Sequence, residues 1–284
     1  MEAITRSAPR VPRYDLPVMT TLHVLGSGSK GNAFALVHQG AALLIEAGFS
    51  VRELERRMEL AGVAPASVVA IALTHEHGDH AMGATRFAGR HRVPVIASLG
   101  TWQALSRGGD PCQWLAAGSR GAAEAGPFLV DACACSHDAR EPIALGVRCD
   151  DGPSIAVATD LGRPTQAVRW FLRGRHALVL EANHDEVLLR QSGYPAVVQQ
   201  RIAGAGGHLS NDACARLLEE LYHEELQTIV LAHLSQRCNS SEVAASAIGA
   251  ALAAVGYLGA LHVATQDGPM APIQVPGPAQ RALF

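Results

Sequence analysis

Between Thr74 and His80 the chain places three imidazoles and a carboxylate within six residues, His75-Glu76-His77-Gly78-Asp79-His80. Imidazole nitrogen and carboxylate oxygen are the donors that suit zinc and its first-row neighbours, so the run predicts a metal site. A metal held this way can ionise water near neutral pH and polarise a phosphoryl or carbonyl oxygen, which is hydrolytic chemistry. One loop cannot hold a pair of ions, and three further residues fit as partners. His137 follows the alternating stretch 130–136, Asp160 closes the apolar run 155–159, and His233 closes 229–232. A lone histidine at the end of an apolar run is ordinarily a capped loop residue. Repetition favours the functional reading, because the carboxyl ends of core strands converge on one edge.

The elements that must position these residues alternate along the chain. Residues 68–73 are continuously apolar and rich in branched side chains, which predicts a buried strand leading into the histidine loop. Further strands are predicted over 21–25, 33–37 and 42–46, separated by glycine-containing turns. Helical spacing covers 51–61 and 81–91, with a strand at 93–97 and a short helix at 101–106. A second strand-rich stretch runs from 128 to 160. It leads to a helix at 165–172, a strand at 177–181, a helix at 209–223 and a strand at 228–233. A helix at 242–255 and a strand at 261–265 follow. Two strand-rich halves flanked by helices imply a layered sandwich with helices on both outer faces.

The chain has 284 residues, 48% hydrophobic and 17% charged, ordinary for a globular enzyme and too apolar for disorder. Residues 1–19 read as a poorly ordered lead-in. A net charge of −3 argues against non-specific coating of nucleic acid but leaves a nuclease open, since a metal supplies positive charge locally. Only Lys30 among the 23 basic residues is lysine, which reads as base composition. Six cysteines without a Cys-x-x-Cys pair predict reduced thiols and a cytoplasmic protein. No signal peptide and no bilayer-length apolar run is seen, so no membrane association is expected.

The order Thr-His-Glu-His-Gly-Asp-His, then His137, Asp160 and His233, resembles the metallo-β-lactamase superfamily, and more narrowly its YycJ-type (WalJ-like) metallo-hydrolases. Supporting segments are residues 26–32, 136–139, Glu181-Ala182-Asn183-His184-Asp185, Gly207-His208-Leu209-Ser210-Asn211, and 231–235. The resemblance implies an α/β fold, a four-layer αββα sandwich, formed by residues 20–284 as a single domain. It implies one divalent ion held by His75, His77 and His137, a second held by Asp79, His80 and His233, and Asp160 bridging them. Zinc is the first expectation for both ions and manganese the second. The implied reaction is attack of a metal-bridging hydroxide on a phosphodiester, with DNA as substrate and 5′-end exonuclease activity. Asp79 and His208 are the implied catalytic groups. The same site would also suit a small-molecule phosphodiester, thioester or lactam, and a non-catalytic metal-stabilised binding protein is the remaining alternative.

The family's Asp-Ala-Gly segment is Glu46-Ala47-Gly48 here, and Gln236-Arg237-Cys238-Asn239 replaces a more asparagine-rich stretch. Glu46 would orient a metal ligand from behind. Being one methylene longer than Asp, it must fold back or shift the loop. His208 reads equally as a proton donor and as a cap on the helix that follows. His184 and Asp185 could touch substrate or form a helix N-terminus held by Glu181 and Asn183. The loop 26–32 reads either as a plain hairpin turn or as a phosphate cradle with Ser27, Ser29 and Asn32 as donors. Cys133 and Cys135 read as small packing residues. Arg169, Arg173, Arg175, Arg190 and Arg201 form a solvated face or a path for a phosphate backbone.

Overall fold

Alternation within each strand decides what its two faces pack on. In Ser154–Ala158, Ile155 and Val157 face one hydrophobic cluster while Ala156 and Ala158 face another. Repeated along the chain, this pattern builds two sheets with a shared inner layer. The structure is a computed structural model that describes residues 19–106, 112–118 and 121–278. Apart from Met19, the lead-in expected over 1–19 lies outside the described residues.

The first half comprises β1 (Thr20–Gly26), β2 (Ala33–His38), β3 (Ala41–Ile45), α1 (Val51–Leu60) and β4 (Val68–Ala72). It continues through α2 (Gly78–Ala81), α3 (Ala84–His91), β5 (Val95–Ala97), α4 (Leu99–Leu105) and β6 (Trp114–Ala116). The second half opens with β7 (Ala123–Ala125), β8 (Phe128–Ala134), β9 (Ile143–Cys149), β10 (Ser154–Ala158), α5 (Gln166–Leu172) and β11 (Ala177–Glu181). Then come α6 (Glu186–Gln191), α7 (Ala196–Ala203), α8 (Asn211–Leu221), β12 (Thr228–Ala232), α9 (Ser241–Ala254), β13 (Ala260–Val263) and β14 (Ile273–Val275).

Among the described residues the sheets are seven-stranded, ordered β14-β1-β2-β3-β4-β5-β6 and β13-β12-β11-β10-β9-β8-β7. Strands β3 to β6 run parallel, as do β10 to β13, and the remaining neighbours are antiparallel. Within each parallel run the carboxyl ends share one rim, the usual place for a ligand in open α/β sheets.

Between the sheets, Leu22, Phe34 and Ile45 meet Leu145, Val157 and Val230, all essentially inaccessible to solvent. Each such side chain gains about 1.5–3 kcal/mol by leaving water. Outside the first sheet, Leu44 and Ile71 pack on Leu54, Met58 and Phe87 of α1 and α3. Outside the second, Leu178 and Ile229 pack on Val168, Leu218 and Ile248 of α5, α8 and α9. The expected αββα sandwich is therefore present. Among the described residues no helix is long and apolar enough to cross a membrane.

Several details depart from expectation. The helix expected over 81–91 divides into α2 and α3 at Gly83, where an added Cβ would lie 2.3 Å from the Phe49 carbonyl oxygen. Strand β14 returns from far along the chain to pair with β1, and short β6 and β7 close the other edges; none was expected. Helices α6 and α7 were likewise not expected as elements. The start of α6 is capped by Asp185, whose side chain accepts from the Val187 and Leu188 amides, and not by Glu181 or Asn183.

Candidate metal centre

Every residue of the cluster leaves a strand or loop on the shared rim. His75, His77, Asp79 and His80 follow β4, and Glu46 follows β3. His137 follows β8, Asp160 follows β10, Glu181 ends β11 and His233 follows β12. Three of these residues, Glu46, Asp160 and His233, have φ between 54° and 61°, in the left-handed region. That conformation costs a non-glycine residue on the order of 1–2 kcal/mol, so the packed strands must hold it in place.

The structure brings the scattered residues together. Donor atoms of His75, His77 and His137 lie within 4.8 Å of one another, as do those of Asp79, His80 and His233. His75 Nε2 is 3.0 Å from His77 Nδ1, which is 3.4 Å from His137 Nε2. These separations suit a tetrahedron with ~2.0–2.1 Å zinc–nitrogen bonds, whose edges are ~3.3 Å. Asp160 lies between the groups, with Oδ2 2.6 Å from His80 Nε2 and Oδ1 3.9 Å from His137 Nε2. Although His80 is so close, Asp160 Oδ2 has no partner in hydrogen-bonding alignment. Buried ligand atoms that crowd one space and leave a carboxylate oxygen unbonded are the arrangement a cation satisfies.

On three of the histidines the other ring nitrogen is occupied, which turns the free one inward. His137 Nδ1 donates to the Gly207 carbonyl at 3.1 Å, and His75 Nδ1 meets the Thr74 hydroxyl at 2.9 Å. His233 Nδ1 donates to Glu181 Oε1 at 3.1 Å. Glu46 folds back as its extra methylene requires. Its Oε1 accepts from the Thr74 hydroxyl at 2.5 Å and lies 3.3 Å from His80 Nδ1. One buried carboxylate thus reaches His75 through Thr74 and His80 directly, one imidazole from each group.

Glu181 plays the matching part on the second sheet and was not anticipated in the site. Its Oε1 accepts from His208 at 2.8 Å and from His233, and its Oε2 accepts from the Leu161 and Leu209 amides. The signal was available, because Glu181 ends an apolar run in the same way as Asp160 and His233.

Charge is shared across the cluster. Burial opposes ionisation of Glu181, yet the charge of His208 and its hydrogen bonds to His208 and His233 hold its carboxyl down at about 2. Burial likewise disfavours charge on His208, but Glu181 and Asp160 outweigh it and raise the imidazole to about 9. His80 is raised to about 10 against burial, by Asp160 and Glu46. His75 moves the other way, lowered by burial and by the His80 charge. Opposed shifts in one cleft are characteristic of functional sites.

Other expected residues fall differently. Ser210, not His208, caps α8, accepting from the Ala213 amide. Ser27 and Asn32 are buried and committed to the fold. Ser27 donates to Asn32 Oδ1 and accepts from the His233 amide, while Asn32 Nδ2 donates to the Gly28 and Asp79 carbonyls. They brace the histidine loop from behind, and of residues 26–32 it is Ser29 that lines the cleft. The Arg169, Arg175 and Arg201 guanidiniums pair with Glu220, Asp131 and Asp138, so the arginines do not form one continuous phosphate path. Arg201 lines the metal cleft and Arg190 a neighbouring cavity, whereas Arg173 lines neither. His184 lies outside the donor cluster. Cys133 and Cys135 pack against the outer core as expected.

A metallo-β-lactamase superfamily profile matches residues 26–170. Exodeoxyribonuclease YycJ of Bacillus anthracis is 32% identical over 237 residues, 82% of this chain and 89% of that protein. Exodeoxyribonuclease WalJ of Streptococcus pneumoniae serotype 2 is 30% identical over 226 residues, 78% of this chain and 84% of that protein. Among solved structures, the metallo-β-lactamase fold protein YhfI from Bacillus subtilis has a TM-score of 0.66 at 16% identity, over 89% of this chain and 99% of that one, which shows the shared fold. The fold and its histidine and carboxylate cluster imply binding of a divalent metal. Matched in sequence along most of its length and in the layering of its sheets, this chain belongs to the metallo-β-lactamase superfamily, in the YycJ-type branch, and is a metal-dependent hydrolase.

Proposed function

We propose that the chain is a DNA exonuclease working with two divalent ions. The observation that carries this reading is the pair of three-residue donor groups with Asp160 between them. His75, His77 and His137 would hold one ion, and Asp79, His80 and His233 the other, with Asp160 facing both. The exodeoxyribonuclease names of the relatives supply the substrate class. Imidazole predominance makes zinc the first choice and manganese the second. Two such ions, when bound, supply a nucleophile ionised near neutral pH and polarise the phosphoryl oxygens.

The protein's own groups do the rest. The cleft of about 280 Å³ includes Asp79, His137, Asp160, His208 and His233 in its walls. Burial works against a charged Asp79, but its hydrogen bond to His233 and the nearby His80 hold the carboxyl below the usual range, so it remains an acceptor. His208 keeps Nδ1 on Glu181 and Asp160, which leaves Nε2 to hand a proton to the departing sugar oxygen as the phosphorus–oxygen bond breaks. The sequence's six cysteines, without a Cys-x-x-Cys pair, suit a reducing, cytoplasmic setting.

The test is digestion of end-labelled oligonucleotides by protein loaded with zinc or manganese. Stepwise shortening that His75→Ala abolishes is expected. No shortening with either metal, together with turnover of a thioester, a lactam or a cyclic diester, would overturn the DNA reading. Bound metal with no turnover of any ester would point to a binding protein.

A further inference from the structure

Beside the metal cleft lies a second cavity of about 440 Å³, and His208 lines both. Its volume falls within the ~300–1,000 Å³ typical of small-ligand pockets. Helix α7 stands between the two spaces. Gln199, Gln200 and Ala203 face the cavity, while Val198, Arg201 and Ile202 face the cleft. Helices α6 and α8 form the opposite walls and contribute Arg190 and Arg216.

Two features show a ligand site rather than a gap in packing. His184 is only 1% exposed and lines the cavity, yet its Nδ1 has no hydrogen-bond partner among the described residues. An unsatisfied buried nitrogen costs about 1–3 kcal/mol, and this one lies just beneath the cavity wall, where a small turn of the ring would bring it to a ligand. The cavity also carries uncompensated positive charge. Arg190 shares its guanidinium with Glu186 at 3.8 Å, whereas Arg216 has no ion pair among the described residues. Gln199 donates to the Tyr194 carbonyl, which leaves its side-chain oxygen free to accept.

Resting on the DNA reading above, we infer that this cavity receives the terminal nucleotide of the strand being degraded, with its phosphate toward Arg190 and Arg216 and its base edge toward Gln199 and His184. A strand whose reacting phosphate sits at Asp160 passes His208 and delivers its end nucleotide there. The cavity would therefore hold the unit about to be released and favour phosphorylated ends. The two arginines are solvent-facing, so replacing them leaves the fold and the metal ligands in place.

The test compares the metal-loaded enzyme with Arg190→Gln, Arg216→Gln and the double variant. Binding of deoxyadenosine monophosphate and of unphosphorylated deoxyadenosine is measured by calorimetry. Turnover is measured on bis(p-nitrophenyl) phosphate and on oligonucleotides with phosphorylated or hydroxyl ends. The double variant is expected to weaken monophosphate binding by about tenfold or more, the loss of a charged hydrogen bond. It should raise KM for phosphorylated ends alone and leave the nitrophenyl ester untouched. Equal monophosphate binding by wild type and double variant would sink the assignment, as would no binding at all. So would parallel loss on the nitrophenyl ester. If no oligonucleotide is cut while monophosphate binding still tracks the arginines, the DNA reading fails and the nucleotide pocket stands.

Discussion

Two buried glutamates each govern a pair of imidazoles, and their replacement separates binding from proton transfer. Glu46→Gln removes the charge that faces His80 and sits behind Thr74 and His75. Loss of such supporting contacts typically costs 10- to 100-fold in metal affinity, which chelator competition reads directly while circular dichroism reports an unchanged fold. His208 should behave otherwise. Its substitution by alanine is expected to lower kcat by about 100- to 10,000-fold, with metal content per chain unchanged. The proton on His208 is retained below about 9 and lost above it. Cations held by Asp160 would cancel part of that support, so activity that depends on this donor falls with rising pH at a value below about 9. Glu181→Gln should move this alkaline limb to lower pH, because Glu181 is the leading cause that raises His208; a limb that stays put would assign the proton elsewhere.

At the level of elements, the metal loop is pinned to the loop before β2 and to the turn after β3. The Asn32 amide donates to the Asp79 carbonyl at 2.8 Å and the Ala47 amide to the His80 carbonyl at 2.6 Å. A Cβ on Gly48 would lie 1.8 Å from the Asp79 carbonyl oxygen, backbone against backbone. Gly48→Ala should therefore displace the loop, costing about 1–3 kcal/mol by denaturant titration and lowering bound metal. Spacing alone revealed the histidine loop, because its donors are adjacent in the chain. His137, Asp160 and His233 were legible because a ligand-type residue ends an apolar run. Glu181 carries the same mark, but a carboxylate there is equally at home capping a helix, and only the tertiary contacts decide. The commitment of Ser27 to the His233 amide, 206 positions away, has no local signature. Helix α7 buries no side chain and so lacks the apolar period that betrays a helix, and β14 is too short to stand out from loop.

The whole molecule places the donors of each proposed ion on both sheets. Histidines from the loop after β4 would share one ion with His137, and Asp79 and His80 would share the other with His233. Metal would then tie the two halves of the sandwich together. Its removal should lower the thermal midpoint of the entire domain; at a thousandfold excess over Kd one ion contributes about 4 kcal/mol. Without metal, His80 holds a proton up to about 10 and His233 is raised well above its ordinary value, mainly by Asp160 working against burial. Loading must expel those protons, so metal stabilisation should grow as pH rises. Calorimetry in melts with and without chelator, at acid and alkaline pH, checks both; a midpoint indifferent to chelator would place the ions on one sheet or nowhere.

The left-handed backbone at Glu46, Asp160 and His233 bears on any effort to harden this protein. Glycine or asparagine relaxes that conformation, so a campaign selecting only for heat tolerance would be drawn to these three positions. Each winner would be a sturdier molecule with a blunted rim. Directed evolution here has to select survival and turnover together, because the same three peptide units set both.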